Sequence, residues 1–311
     1  MAPVLIAGAG GFLGRHLSAR LAAQGARVLT LGTPGRPAAA PLPAGAVRIE
    51  AAAWTAEAIA EALPAGVALG TVYLLAAAGV DPSQRRPRDL LQVNIALPQL
   101  LLEALALRAL APRVILTGTC SEYFPVVDGR LSEETDAAAG ADTYGASKAA
   151  GAVWALKLAR QLGIPLVHLR LFHFYGPSEA PHRLISSLFR QLGAGQPVRL
   201  SPGEQYRDML YVEDVLDALE AAAARAPAWE TLNVASARPV RIADVARATA
   251  RALGQPESLL EFGALDYRPG EVMWIAGDSA RFRQATGWQP RFSLEEGIAD
   301  MLRRSRESSH V

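Results

Sequence analysis

The sequence predicts an α/β protein with a doubly wound parallel sheet and a smaller, loop-rich C-terminal lobe. Three observations carry this. Short aliphatic and β-branched runs alternate with amphipathic stretches of helical length through the first two thirds of the chain, a pattern that implies right-handed crossovers and parallel pairing. Three glycines, Gly8, Gly11 and Gly14, follow the first run directly. From about Tyr175 the alternation gives way to Pro- and Gly-punctuated pieces, GPSEAP, GAGQP, LSPGEQ and YRPGEV, which read as loops.

Taken in order, Val4 to Ala7 reads as the first strand and Leu13 to Gln24 as the first helix. Arg27 to Leu31 and Val47 to Ile49 read as strands, and the Pro- and Ala-rich Pro34 to Ala46 between them as a surface loop. Thr71 to Leu75, Val114 to Thr117 and Leu166 to Leu171 continue the strand series, with Leu90 to Leu107 as one of the helices between them. Glu213 to Ala224 and Thr231 to Val234 read as one more helix and strand rejoining the sheet. Residues 1–175 with 213–235 are therefore expected to form the sheet domain, and 176–212 with 236–311 the second lobe. The charged, Ser-rich tail Arg303 to Val311 reads as frayed.

Half of the 311 residues are hydrophobic and a fifth are charged, so a chain of this length should bury roughly three quarters of its unfolded surface in a sizeable core. The 31 Lys and Arg nearly balance the 30 Asp and Glu, which argues against a nucleic-acid or anionic-membrane partner. The lone Cys120 cannot close an intramolecular disulfide, and a typical structural zinc site needs four ligands, so no metal is expected. No uninterrupted apolar run reaches about 18 residues, so no membrane span is expected. The opening MAPVLIAGAGGFLG is too short and lacks the basic region of a signal peptide. A cytoplasmic, reducing location is expected.

At the junction of first strand and first helix, Gly8, Gly11 and Gly14, with Phe12 and Leu13 between them, let the backbone turn sharply. There a pyrophosphate would meet the free N–H groups of a helix N-terminus. The turn reads as a dinucleotide site. At the end of the second strand, where a carboxylate would hold the ribose hydroxyls of NAD, the residue is Gly32. Arg36, and secondarily Arg15, could meet a 2′-phosphate there or lie as solvated surface residues. NADP (as NADPH) is favoured over NAD.

Tyr144 and Lys148 stand one helical turn apart in TYGASKAAGAVWALKLARQLG. A neighbouring ammonium stabilises phenolate, so the pair suits acid-base work near neutral pH. Together with the glycine turn, the AAAG segment Ala76, Ala77, Ala78 and Gly79, Asn94, and Thr117 and Thr119 at the fifth strand, the chain resembles an extended short-chain dehydrogenase/reductase with a Rossmann-type sheet. RLFHFYGP, YRDMLYVEDV, YRPGEV and TGWQPRFSLEEGI resemble motifs of its nucleotide-sugar epimerase/dehydratase branch, over nearly the whole length. The resemblance implies that Tyr144 is the general acid/base and that Thr119 bonds the reacting sugar oxygen. It further implies that Lys148 holds the nicotinamide ribose while lowering the tyrosine pKa. Arg207 and Arg268 would grip the diphosphate of a nucleoside-diphosphate sugar, with Arg183 and His173 also on the substrate side.

The chain departs from the family's dehydratases, which carry an Asp-Glu pair after the catalytic threonine. Cys120 and Ser121 stand there instead, with Glu122 one residue away. Dehydration is disfavoured unless a shifted loop brings Glu122 in, and Cys120 reads as a small filler. His173 replaces the usual asparagine and reads either as a titrating contact or as a packed core histidine. TCSEY with LFHFYGP looks most like 4-ketoreductases of the CDP-abequose synthase kind. The expected activity is NADPH-dependent reduction of a 4-keto-6-deoxy sugar nucleotide. A 4-epimerase with retained NAD and a non-catalytic NADP-binding sensor are the alternatives. The family commonly dimerises through the Tyr-bearing helix, and Ala149, Ala152, Val153 and Leu156 there permit a homodimer.

Overall fold

The computed structural model describes residues 2–32, 34–35, 42–123, 130–131, 139–140 and 142–308. Its strands are β1 (Val4–Ala7), β2 (Val28–Gly32), β3 (Val47–Glu50), β4 (Thr71–Leu74), β5 (Arg113–Thr119), β6 (Arg130–Leu131), β7 (Leu166–Leu171), β8 (His173–Tyr175), β9 (Val198–Leu200), β10 (Tyr206–Arg207), β11 (Met209–Tyr211), β12 (Thr231–Val234), β13 (Val240–Arg241), β14 (Leu260–Phe262) and β15 (Trp274–Gly277). The helices are α1 (Phe12–Ala23), α2 (Ala56–Ala62), α3 (Pro87–Leu90), α4 (Leu97–Leu107), α5 (Thr143–Gln161), α6 (Leu184–Gly193), α7 (Val212–Arg225), α8 (Ile242–Ala252), α9 (Ala280–Thr286) and α10 (Leu294–Ser308).

Seven strands form one parallel sheet in the order β12-β7-β5-β4-β1-β2-β3, as the strand and helix alternation requires. Successive residues of β1 point to opposite faces. Ile6 joins α1 and α7 in one apolar layer through Leu17, Val215 and Leu219. Leu5 and Ala7 join α2, α4 and α5 in the other, through Ile59, Leu101, Leu105 and Ala155. The chain winds one way through β2 and β3 and the other way through β4, β5 and β7. The C-terminal ends of β1 and β4 therefore flank the point of reversal, where sheets of this kind bind ligands. β12 pairs in parallel with β7, Thr231 opposite His168, and α7 packs on α1.

A small sheet, β13-β10-β15-β6, and the pairs β8/β11 and β9/β14 make up the rest. Beneath β9 and β14 the second lobe has its own core of Leu188, Leu192, Leu200, Ala246 and Leu260. The acids of YRDMLYVEDV hold this lobe in place. Fully buried Asp208 accepts hydrogen bonds from the N–H groups of Ser236 (2.7 Å), Ala237 (2.9 Å) and Gly277 (3.3 Å). Asp214 accepts from Arg291 N–H at 2.8 Å and Phe292 N–H at 3.2 Å.

Two expectations change. The helix expected over Leu90 to Leu107 begins at Pro87 and is interrupted by a π turn, Leu91–Ala96, which carries the buried Asn94. By length and composition this 21-residue helical stretch is apolar enough to cross a membrane, although it contains no long uninterrupted apolar run; Leu97, Leu101, Leu102 and Leu105 are buried in the core. The tail does not fray at Arg303: α10 continues to Ser308, supported by the Arg303 ion pair with Asp300 at 2.6 Å and that of Arg304 with Glu213 at 2.7 Å. Residues 36–41 of the Pro34 to Ala46 loop lie outside the described residues.

Candidate active site and nucleotide cleft

The glycine turn is built by close backbone packing. Gly8 has φ +95°, and a Cβ on it would stand 2.5 Å from Ala76 N. A Cβ on Gly14 would overlap the Gly8 carbonyl. Gly8 and Gly14 are thus the residues that bring the β1–α1 turn, the AAAG segment and the α1 N-terminus together. Helix α1 starts at Gly11 without a side-chain cap or a first-turn acid, which leaves its dipole and N–H groups for an anion. These features fit the pyrophosphate of a dinucleotide. Phe12 stacks on Phe174, with ring centres 5.7 Å apart, so the RLFHFYGP segment closes over the turn. The Leu13 side chain points into the core, which limits its part to the backbone. Ala77 is exposed at the cleft.

Asn94 clamps the segment after β4. Its amide accepts from Ala78 N–H (2.9 Å) and donates to Ala78 O (3.0 Å) and Ser147 Oγ (2.9 Å). It therefore ties the cleft floor to helix α5, acting as a brace at the cleft wall.

Asp142 caps α5 by accepting from Gly145 N–H at 2.8 Å. Tyr144 and Lys148 follow on the buried side of that helix. The Thr119 side chain stands near enough to Tyr144 to favour its phenolate, so the proposed acid/base and the proposed oxygen ligand stand together. Burial pushes the phenol well above its ordinary pKa, with Cys120 adding to the effect, and Lys148 is not among the main influences. The expectation that Lys148 lowers the tyrosine pKa is corrected. Lys148 Nζ instead donates to Thr117 O at 2.6 Å, and burial brings the ammonium down to about 8 against the opposing pull of Glu122. Thr117 spends its hydroxyl on Leu74 O at 3.1 Å, so it serves the site through its carbonyl. Arg85, with no mark in the sequence, lies over the Tyr144 ring at 5.5 Å and pairs with Asp142 at 2.5 Å.

Glu122 is not an acid in waiting. Completely buried, it accepts from Thr119 N–H (2.9 Å) and Arg170 Nε (3.0 Å) and stands 3.3 Å from His168 Nε2. Burial opposes its ionisation, but attraction to His168 and Arg170 outweighs this and holds the carboxyl down to about 2. Thr119 in turn accepts from Ser121 N–H at 3.2 Å, completing a capping box with Glu122. The T-x-x-E spacing is a legible signal for it, and the loop shift that would free Glu122 does not occur. Cys120 is buried, and burial pushes its thiol up to about 12, in keeping with a filler.

On the substrate side, His173 Nδ1 is buried without a hydrogen-bond partner. Burial, then the charges of Arg207 and Arg183, push the imidazole down to about 3. It is neutral at physiological pH, which corrects the titrating reading. Arg207 pairs with Glu271 at 2.5 Å. Arg183 pairs with Glu179 at 3.1 Å, and Arg268 is exposed on the turn that carries Glu271.

At the far end of the cleft, Gly32 lies opposite Glu50. Arg48 reaches along β3 to cover Gly32 and pairs with Glu50 at 2.6 Å. Arg36 lies outside the described residues. Arg15 donates to Ser178 O at 3.1 Å, which directs it to the YGP loop.

The model of the NAD dependent epimerase/dehydratase family matches residues 4–235. The chain belongs to that family. A family member, dTDP-6-deoxy-L-talose 4-dehydrogenase (NAD(P)(+)) of Kitasatospora kifunensis, is 31% identical over 314 residues, 96% of this chain and 94% of that protein. CDP-abequose synthase of Salmonella typhimurium is 29% identical over 146 residues, 45% and 48% of the two chains. Among solved structures, MoeE5 in complex with UDP-glucuronic acid and NAD is 30% identical, with a TM-score of 0.82 over 99% of this chain and 100% of that one. The chain is thus a nicotinamide-dependent enzyme of the nucleotide-sugar branch of the family, on its Rossmann-type fold.

Proposed function

We propose that the chain reduces the C4 ketone of a nucleoside-diphosphate 4-keto-6-deoxyhexose with NADPH, in deoxysugar biosynthesis. The observation that carries this reading is the surface beside Thr119. It holds a neutral thiol, a hydroxyl and a carboxylate already committed to Arg170 and His168, so among the described residues no second acid and base stand there for removing water. The K. kifunensis relative's name specifies oxidation at C4 of a 6-deoxy sugar nucleotide, the reverse of such a reduction.

NADPH, when bound, would supply the hydride. Tyr144, kept protonated by burial, donates its phenolic proton to the ketone oxygen, and Thr119 steadies that oxygen by a hydrogen bond. Lys148, anchored on Thr117 O, would hold the nicotinamide ribose; Gly8, Gly11 and Gly14 would hold the pyrophosphate. Arg207 and Arg268 would take the sugar diphosphate, Arg207 exchanging Glu271 for phosphate. A cytoplasmic location suits the single thiol. A homodimer suits the exposed Val153 and Trp154, which with Ala149 line a shallow cavity of about 400 Å³ on α5; Ala152 is buried in the core instead.

The test is to denature the purified protein, identify any released nucleotide, and assay NADPH oxidation with 4-keto-6-deoxy sugar nucleotides. An empty site and turnover that Tyr144→Phe cuts by about 100-fold or more support the reading. Stoichiometric tightly held NAD with interconversion of C4 epimers would replace it with the epimerase, and indifference to Tyr144→Phe with a binding protein.

A further inference from the structure

We propose that Arg48 is the residue through which the chain reads the 2′-position of the adenosine ribose, and that it selects a 2′-phosphorylated dinucleotide. This rests on the reading of the cleft as a dinucleotide site, and it names a residue that the sequence pattern did not mark.

In the register of the sheet Ala7 lies opposite Leu31, so Gly8 and Gly32 leave the C-terminal edge side by side. A side chain at position 32 would therefore stand next to the pyrophosphate turn. There is none, and the space is filled from the neighbouring strand. The atoms nearest a Cβ on Gly32 would be Arg48 Nε at 2.6 Å, Cζ at 2.8 Å and Nη2 at 2.8 Å. Arg48 lies opposite Thr30 in the register, so its side chain runs about two residues along the strand direction to bring the guanidinium to the edge. The place from which a carboxylate would accept ribose hydroxyls thus holds a planar cation whose fork matches phosphate oxygens.

Glu50 Oε1 lies 2.6 Å from Arg48 Nε, and the Arg48 side chain is 19% exposed against 56% for Glu50. The carboxylate fixes the guanidinium, and the cation neutralises Glu50 at this corner of the cleft. The opposite assignment, in which Glu50 holds the ribose hydroxyls of an unphosphorylated nucleotide, predicts the reverse selectivity.

Calorimetric titration of the nucleotide-free protein with adenosine 2′,5′-bisphosphate and with 5′-AMP tests this without nicotinamide or sugar, so the outcome does not depend on which reaction the enzyme performs. The bisphosphate is expected to bind about 10- to 100-fold more tightly, the increment of a charge-assisted contact. Arg48→Gln should abolish that preference by weakening binding of the bisphosphate, and Arg48→Lys should keep part of it. Retained binding of 5′-AMP by the variant also shows that its cleft is folded. Equal binding of the two probes by the unaltered protein, a preference for 5′-AMP that Glu50→Gln removes, or a bisphosphate preference that survives Arg48→Gln would each overturn the assignment. Binding of neither probe would overturn the dinucleotide reading itself.

Discussion

Truncating Glu122 should cost more stability than removing any ordinary buried side chain of its size, because it strands a cation. The carboxylate and Arg170 are both buried, and Arg170 lies 4.5 Å over the Tyr123 ring, walled in on that side. Glu122→Leu leaves Arg170 without its counter-charge and Thr119 N–H without its acceptor. Breaking one side of a buried pair costs about 3–5 kcal/mol. Replacing both partners with apolar groups is close to neutral, so Glu122→Leu with Arg170→Met should recover about 2 kcal/mol or more of the loss. Urea unfolding of the two single variants and the double variant gives the coupling directly. The sign with pH is also fixed. The folded-state pKa of Glu122 lies below its ordinary 4.5, at about 2. Its contribution is therefore full above pH 4.5 and is lost as pH falls toward 2, where wild type and Glu122→Leu should converge. Additive effects of the two single substitutions, within about 0.5 kcal/mol, would refute the reasoning.

Three further outcomes are expected. Lys148 is brought down to about 8 from 10.5, so between those values the folded chain holds fewer protons than the unfolded one. Its burial cost is present in full below pH 8 and relaxes as pH rises, and the stability difference between Lys148→Met and wild type should shift in favour of wild type across that range in urea titrations. Cys120, with its thiol pushed up to about 12, should resist iodoacetamide at pH 8 in the folded chain and react once it is unfolded; rapid labelling of the native protein would contradict its burial. Gly14→Ala would force a Cβ into the Gly8 carbonyl and should abolish dinucleotide binding measured by NADPH fluorescence; retained affinity would show that the turn relaxes freely.

The sheet was legible because its strands are short aliphatic runs with nowhere to lie but between two helical layers. Val4 to Ala7 and Leu166 to Leu171 carry their own boundaries. The π turn around Asn94 was not legible, since apolar periodicity does not register one added residue within a helix. In the site, Tyr144 and Lys148 were marked by their helical spacing and Thr119 by the family resemblance, but their energetics were not legible, because burial is a property of the whole fold. Lys148 answers to the Thr117 carbonyl and to desolvation more than to Tyr144. Arg48 escaped notice for a geometric reason: it acts from the strand beside the expected position, and strand register decides which neighbour fills a glycine's empty place. Arg85 likewise reaches Tyr144 from a loop whose path only the fold specifies.

The π turn at Leu91–Ala96 acts as a phase shifter. An α-helix advances about 100° per residue, so one added residue rotates everything before it relative to everything after it. The half after the turn is phased to bury Leu101 and Leu105 against the sheet, and Asn94 is phased to face the Ala78 backbone and Ser147. Deleting a single residue between Leu91 and Ala96 should thus swing Asn94 away from the cleft while leaving the packed half in register, disconnecting the nucleotide site from an otherwise intact core.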